Sequence, residues 1–175
     1  PSGGGDWQTF QLPGKLFAPF QSVVRQGRPA LQVHAQRSVS VLRRQFQPGL
    51  ATVGTLDFSW RVDGLPEGAN LKDAGATDAP ARILLAFGGD RSKWSARAHR
   101  LSELSLLLTG EPLPYATLAY VWSLDDPVGT VLSNPRTDRI RKVVVESGAQ
   151  HVGQWRDHRR DVRADFIRAF GEEPG

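Results

Sequence analysis

The chain has 175 residues, a net charge of +4 at pH 7 and no cysteine. This length suits one domain and allows a sizeable core without crosslinks. The missing thiols exclude disulfides, thiolate zinc sites and cysteine nucleophiles. The longest apolar run, from Ile83 to Phe87, is far shorter than the ~20 residues of a membrane-spanning helix, so we expect no membrane insertion.

The first third of the chain predicts short elements. Residues 1–6 are rich in glycine and predict a disordered lead-in, and residues 7–175 predict a single domain. Residues 7–20, which contain Pro13 and Pro19, predict an extended segment with little regular pairing. Alternating apolar and polar residues then predict a half-buried strand over 31–36 and a second short strand from 39 to near Phe46.

The middle of the chain carries the clearest patterns. Every second residue from Leu56 to Val62 is apolar, which predicts a strand with one buried face. Residues 82–87, which are Arg82 followed by five apolar residues, show no alternation, which predicts a strand buried on both faces. Spacings of three and four then predict a helix near 93–108 that ends at Gly110. Its expected buried stripe is Trp94, Ala98, Leu101, Leu104 and Leu108.

The last third predicts two strands, over 117–123 and 139–146, and one more short strand near Trp155. A closing helix spans 161–170, with Asp161 as the N-cap and a glycine after its end. About seven strands, two helices and no β-α-β alternation favour a mainly β fold, a β-sandwich with helical additions.

Three segments carry a resemblance to a known family: residues 56–71, residues 78–90 and residues 111–171. On these segments the chain resembles a bacterial family of domains of unknown function. The resemblance implies an exported protein with an N-terminal signal, found in the periplasm or secreted, which fits the lack of an initial methionine. It also implies a fold similar to the jelly-roll sandwiches of galactose-binding-like and carbohydrate-binding modules.

One motif departs from that family. Its members tend to have Phe-Asp-Gly-Asp where this chain has Phe-Gly-Gly-Asp at residues 87–90. If the missing carboxylate binds a cation in the relatives, that role is lost here. The resemblance implies no catalytic residues.

The sequence contains no nucleophile elbow, phosphate-binding glycine loop or paired-histidine zinc motif. We expect the four histidines (His34, His99, His151 and His158) to face solvent or to form hydrogen bonds, and we predict no metal site and no cofactor. A hydrolase that uses two carboxylates stays open as an alternative. Its candidates are Asp57, Asp78, Asp90, Asp125, Asp126 and Glu146.

Aromatic residues next to polar ones favour ligand binding. Tyr120 and Trp122 are two positions apart on one strand and share a face, where a ring can stack on the apolar side of a sugar. The predicted ligand-binding residues are Trp60, Arg61, Tyr120, Trp122, Asn134, Arg139 and Trp155. Core packing is the alternative for the tryptophans. For Arg139 and Arg141, which share a face, the alternative is a salt link to Asp161 or Asp165.

These patterns predict a non-catalytic domain that binds a saccharide or a similar polar small molecule. Basic and acidic residues alternate along most of the chain, so we expect no nucleic-acid partner, and we expect a monomer. Two other classes stay open. One is the carboxylate hydrolase, and the other is an envelope module that recognises a protein through an exposed apolar patch.

Overall fold

The computed structural model describes residues 7–12, 14–45, 54–73 and 78–175. These ranges contain ten strands in several sheets, two α-helices and a short 3-10 helix at Arg91–Lys93. The strands are β1 (Gln8–Phe10), β2 (Gln21–Arg25), β3 (Arg28–Gln32), β4 (Val41–Arg43), β5 (Thr55–Trp60), β6 (Arg82–Phe87), β7 (Ala116–Ser123), β8 (Val131–Ser133), β9 (Ile140–Ser147) and β10 (Arg156–Asp161). The helices are α1 (Ala96–Thr109) and α2 (Val162–Phe170). The predicted lead-in over 1–6 and the predicted strand end at Phe46 lie outside the described residues.

A four-stranded sheet lies at the centre, in the order β6-β7-β9-β8. Strands β7 and β9 run parallel, and the two outer strands are antiparallel to their neighbours. Every residue of β7 is buried, because both faces of this inner strand are covered. Strand β6 instead alternates between exposed and half-buried residues. The prediction that it is buried on both faces is wrong, because this edge strand is covered on one face only.

Three antiparallel pairs complete the described strands: β1 with β4, β2 with β3, and β5 with β10. The pairing of β1 shows that the segment over 7–20 is more regular than its composition predicts. The strand predicted over 31–36 is wrong beyond residue 32, because β3 pairs with β2 in a hairpin that ends at Gln32. Leu31 and Val33, which were expected on a half-buried face, are exposed. The short strands β2 and β8 carry no alternation that predicts them.

The main core lies between one face of the central sheet and the β5–β10 pair. Phe58 stacks on Tyr120 with ring centres 5.9 Å apart, and Trp60 lies 6.2 Å from Trp122. Helix α2 covers the rest of this face through Phe166. A smaller cluster on the opposite face is formed by Leu71, Ala119, Val121, Leu132 and Val144. The mainly β prediction is confirmed, and a jelly-roll strand order is not.

Helix α1 begins at the N-cap Ser95, whose hydroxyl accepts a hydrogen bond from the Ala98 amide, and ends at a left-handed Gly110. Of its residues only Ala98 and Ser102 are buried. The predicted apolar stripe is therefore wrong for its last two members, Leu104 and Leu108, which are exposed. The buried face of α1 consists of the small residues Ala98 and Ser102, which allow the helix to pack closely on the rest of the domain.

Helix α2 confirms its predicted ends. The Asp161 carboxylate accepts a hydrogen bond from the Ala164 amide at 2.9 Å, and Gly171 adopts a left-handed conformation. Both signals are local in sequence, which makes them predictable. None of the helices in the described ranges is long and apolar enough to cross a lipid bilayer.

The neighbouring glycines after β6 differ in what they tolerate. Gly89 has φ of 151°, and a Cβ there would overlap the Tyr115 ring, whereas a Cβ at Gly88 would meet open space. We expect Gly89→Ala to lower the free energy of unfolding by about 1–3 kcal/mol, because only glycine suits this backbone. Gly88→Ala is the matched control and should change it by less than about 0.5 kcal/mol. Urea unfolding of both variants measures the difference, and equal values would contradict this assignment.

Candidate ligand-binding site

A β-bulge in β9, opposite the end of β7, sets the direction of Glu146. Strands β7 and β9 stay in register up to the pair Val121 and Val144, but the next pair is Trp122 with Glu146, so Val145 is an extra residue. Paired residues lie on the same side of a sheet, and a shift of one residue reverses the side. Because Trp122 faces the main core, the bulge turns Glu146 toward it as well.

The Glu146 carboxylate is nearly buried, with 4% of the side chain exposed. Arg156 Nε donates to Oε1 at 2.6 Å, and His151 Nδ1 donates to Oε2 at 2.9 Å. Burial alone would raise the pKa of Glu146, but these two hydrogen bonds outweigh it and hold the pKa below its usual value. The group is therefore a carboxylate at neutral pH, and both of its oxygens are engaged.

His158 lies between this carboxylate and the aromatic core. Its ring centre is 4.9 Å from Phe58 and 5.4 Å from Trp60, and its Nε2 is 3.7 Å from Glu146 Oε1. Neither His158 Nε2 nor Trp60 Nε1 has a hydrogen-bond partner within the described part of the chain. Burial lowers the pKa of His158 more than the nearby carboxylate raises it, so the imidazole is neutral at pH 7.

The loop that joins β9 to β10 carries the accessible part of this site. The Gly153 amide donates to the Val62 carbonyl at 2.8 Å, so the loop lies against the end of β5, next to Arg61. The Arg28 guanidinium of the β2–β3 hairpin lies 5.5 Å above the Trp155 ring. We call this region the Trp155 surface, and it consists of Arg28, Arg61, His151, Trp155 and Arg156.

The hairpin holds the indole of Trp155 in place. Its Nε1 donates to the Arg25 carbonyl at 3.2 Å, and the ring stays half-exposed. Arg28 makes two hydrogen bonds to Asp157, at 2.7 and 3.1 Å. The hydrogen bonds from Arg28 and Ser59 lower the pKa of Asp157 to about 2. The hairpin tip is thus tied to β10 through this ion pair.

The seven residues predicted to bind a ligand do not converge. Trp60, Tyr120 and Trp122 are 8%, 0% and 0% exposed, and all three pack in the main core. A ligand cannot reach their rings in this structure. Trp60 and Trp122 pack in the core, which was the alternative to ligand binding for the tryptophans. Arg61 and Trp155, by contrast, lie together on the Trp155 surface.

The other two predicted residues lie at the opposite end of β9. Asn134 closes a turn, its side chain accepting a hydrogen bond from the Arg136 amide. Arg139 lies 5.5 Å above the Tyr115 ring and 3.6 Å from Glu172. Seven residues of strand separate Arg139 from Glu146, a distance of about 20 Å. These two side chains therefore belong to a different region.

The expected salt links of Arg139 and Arg141 to helix α2 are wrong in the described residues. Asp165 instead binds Arg160 through both oxygens, at 2.6 and 2.9 Å, and accepts a hydrogen bond from the Tyr120 hydroxyl. Arg141 Nε donates to the Ala169 carbonyl. Asp165 lies in the first turn of α2, which directly follows β10, and its partner Arg160 therefore comes from that strand.

Sequence patterns did not identify His151 and Arg156 as members of this site, and Glu146 appeared only among six candidate carboxylates. No spacing links the three residues, since their contacts depend on the bulge and on the loop after β9. The described residues hold no group of three or more His, Cys, Asp or Glu side chains placed to bind a metal ion.

Loss of the Glu146 charge should destabilise the fold. We expect Glu146→Gln to lower the free energy of unfolding by about 1.5–3 kcal/mol, the range for hydrogen bonds to charged groups. The control is Glu173→Gln, which removes an exposed partner of Arg163 and should cost less than about 1 kcal/mol. Urea unfolding at pH 7 compares the two, and similar losses would show that Glu146 is not stabilised as described.

His158 should make the stability depend on pH. Because its folded pKa lies below the usual 6.5, the unfolded chain binds the proton more readily, so stability falls as the pH drops below about 6.5. The lowered pKa of Glu146 acts only below its usual 4.5. We expect the Tm to fall from pH 7 to pH 5, and to fall less in His158→Phe than in the exposed control His34→Gln. Equal slopes in the two variants would contradict this role of His158.

Comparison with curated proteins gives no match, and comparison with solved structures gives none either. A family model matches residues 5–175, a range that includes the whole Trp155 surface and all ten strands. The match confirms the resemblance to a family of unknown function. The chain belongs to the family described as "Protein of unknown function (DUF3047)".

Proposed function

We propose that this domain is a non-catalytic binding module that holds a saccharide or a similar polar small molecule at the Trp155 surface. The observation that carries the proposal is the half-exposed indole of Trp155, which is fixed by the Arg25 carbonyl and has the Arg28 guanidinium 5.5 Å above its ring. A sugar stacks its apolar C–H face on such a ring and presents its hydroxyls to the polar neighbours.

The charge of this surface favours a neutral ligand. Each of its three arginines is already paired with a carboxylate: Arg28 with Asp157, Arg61 with Asp63, and Arg156 with Glu146. An anion would have to compete with these carboxylates for the guanidinium groups. A hydroxyl can donate to a carboxylate and accept from an arginine without breaking the pair. Neutral saccharides therefore fit this surface better than phosphorylated or acidic ones.

His151 adds a polar group that is held in place by Glu146. Its Nδ1 donates to the Glu146 carboxylate, which leaves Nε2 outside this contact. The side chain is 28% exposed, so an edge of the ring reaches solvent. The buried carboxylate thus orients an imidazole at the surface.

The same carboxylate argues against the hydrolase alternative. A glycoside hydrolase needs one carboxylic acid with a raised pKa to protonate the leaving group. The pKa of Glu146 is shifted in the opposite direction, and both oxygens are engaged by Arg156 and His151. Glu146 is better suited to orient its neighbours than to transfer a proton.

The family resemblance adds two further parts to this proposal: a periplasmic or secreted location and likeness to galactose-binding-like modules. We also propose that the domain is a monomer. The packing of the β5–β10 pair on the central sheet supports a comparison with sandwich folds. The parallel pairing of β7 with β9 argues against a jelly roll, which is antiparallel.

A glycan array followed by calorimetry on the hits tests the function. We expect Trp155→Ala to weaken saccharide binding about tenfold or more, because it removes the stacking ring. Trp7→Ala is the matched control, since Trp7 is 60% exposed but precedes β1, and it should leave the affinity unchanged. If the folded protein binds no glycan on the array, the proposal is rejected. Equal losses in both variants would reject the assigned site.

A further inference from the structure

Helix α1 exposes a patch of leucines in its last turns. Leu104, Leu106, Leu107 and Leu108 are 50%, 49%, 83% and 66% exposed. Single exposed leucines are ordinary on protein surfaces, but Leu104, Leu107 and Leu108 are three and four positions apart and therefore adjoin on one side of the helix. Such an area on a folded domain marks a contact with a partner.

Three of these leucines share one face of the helix with two arginines. Leu104, Leu107 and Leu108 follow the spacing of three and four that places side chains on one side. The same spacing continues toward the N-terminus to Arg100 and Arg97, which are also exposed. We call these five residues the α1 face. It lies opposite the buried Ala98 and Ser102.

The two arginines of this face differ from those of the Trp155 surface. Within the described residues, neither Arg97 nor Arg100 forms an ion pair, whereas Arg28, Arg61 and Arg156 each have a carboxylate partner. Exposed Lys93 lies just before the helix and exposed Glu103 lies three positions after Arg100, so the basic residues still outnumber the acidic one here. The α1 face thus combines apolar area with unneutralised cations, which complements a surface that is both apolar and anionic.

We propose that the α1 face docks on the surface of an anionic lipid bilayer. Leu104, Leu107 and Leu108 reach the boundary of the acyl chains, and Arg97 and Arg100 lie at the lipid phosphates. Arg100 and Leu107 are about 10 Å apart along the helix axis, so a helix tilted with its C-terminal end toward the bilayer places the leucines deeper than the arginines. A tilted helix therefore brings the leucines to the acyl chains and the arginines to the phosphates without spanning the membrane.

A second copy of the chain fits this face less well. Even a large aromatic side chain covers at most about 250 Å², so three partly exposed leucines stay below the ~800 Å² per partner of a stable interface. The face also carries two arginines and no acidic residue, so self-association would bury cations without partners. A lipid surface supplies both the apolar medium and the negative charge.

Vesicle flotation of the full chain tests this proposal. We expect binding to vesicles of phosphatidylcholine with phosphatidylglycerol, and none to phosphatidylcholine alone. The triple variant Leu104→Ser, Leu107→Ser, Leu108→Ser should bind at least about tenfold more weakly. Arg97→Gln with Arg100→Gln should lose about as much, and its binding should depend less on salt.

Matched controls separate this face from general effects. Leu16→Ser with Leu31→Ser removes other exposed leucines, and Arg25→Gln with Arg37→Gln removes the same charge elsewhere. Both double variants should bind as the parent does, and urea unfolding shows that every variant is folded. Three results would overturn the proposal: no binding to anionic vesicles, binding that survives the leucine changes, or a dimer in sedimentation equilibrium that those changes abolish.

Discussion

The contact of Phe58 and Trp60 with Tyr120 and Trp122 is the constraint on which the rest of this structure depends. These four rings join the β5–β10 pair to the central sheet. Burial of aromatic side chains is among the largest favourable contributions that single residues make. The same packing places β10 and its residue His158 against the central sheet, because β10 pairs with β5 along its whole length.

This packing brings ionisable groups into the interior, where each needs a partner. On one side of the rings the Glu146 carboxylate is held by Arg156 and His151, and on the other side Asp165 is held by Arg160. The bulge in β9 is what allows the first of these clusters to form. The polar network follows from the aromatic packing, and the accessible Trp155 surface lies where that network reaches solvent.

The two surfaces proposed to bind partners differ in how their charges are balanced. On the Trp155 surface every arginine has a carboxylate, which suits an uncharged polar ligand. On the α1 face Arg97 and Arg100 stand beside exposed leucines, which suits an anionic apolar boundary. The two surfaces share no residue, so variants of one leave the residues of the other unchanged.

The sequence by itself determined the elements whose signals are local: the alternating strand from Leu56, and helix α2 with its cap at Asp161 and its stop at Gly171. Tertiary structure alone decided which faces are covered. The apolar spacing of α1 predicts that Leu104 is buried, yet small residues form the contact and the leucine is exposed. Likewise, no sequence spacing predicts the contact of Glu146 with Arg156, because that contact depends on a one-residue bulge in β9. Local patterns report propensity and periodicity, whereas burial and convergence depend on residues that are distant in the chain.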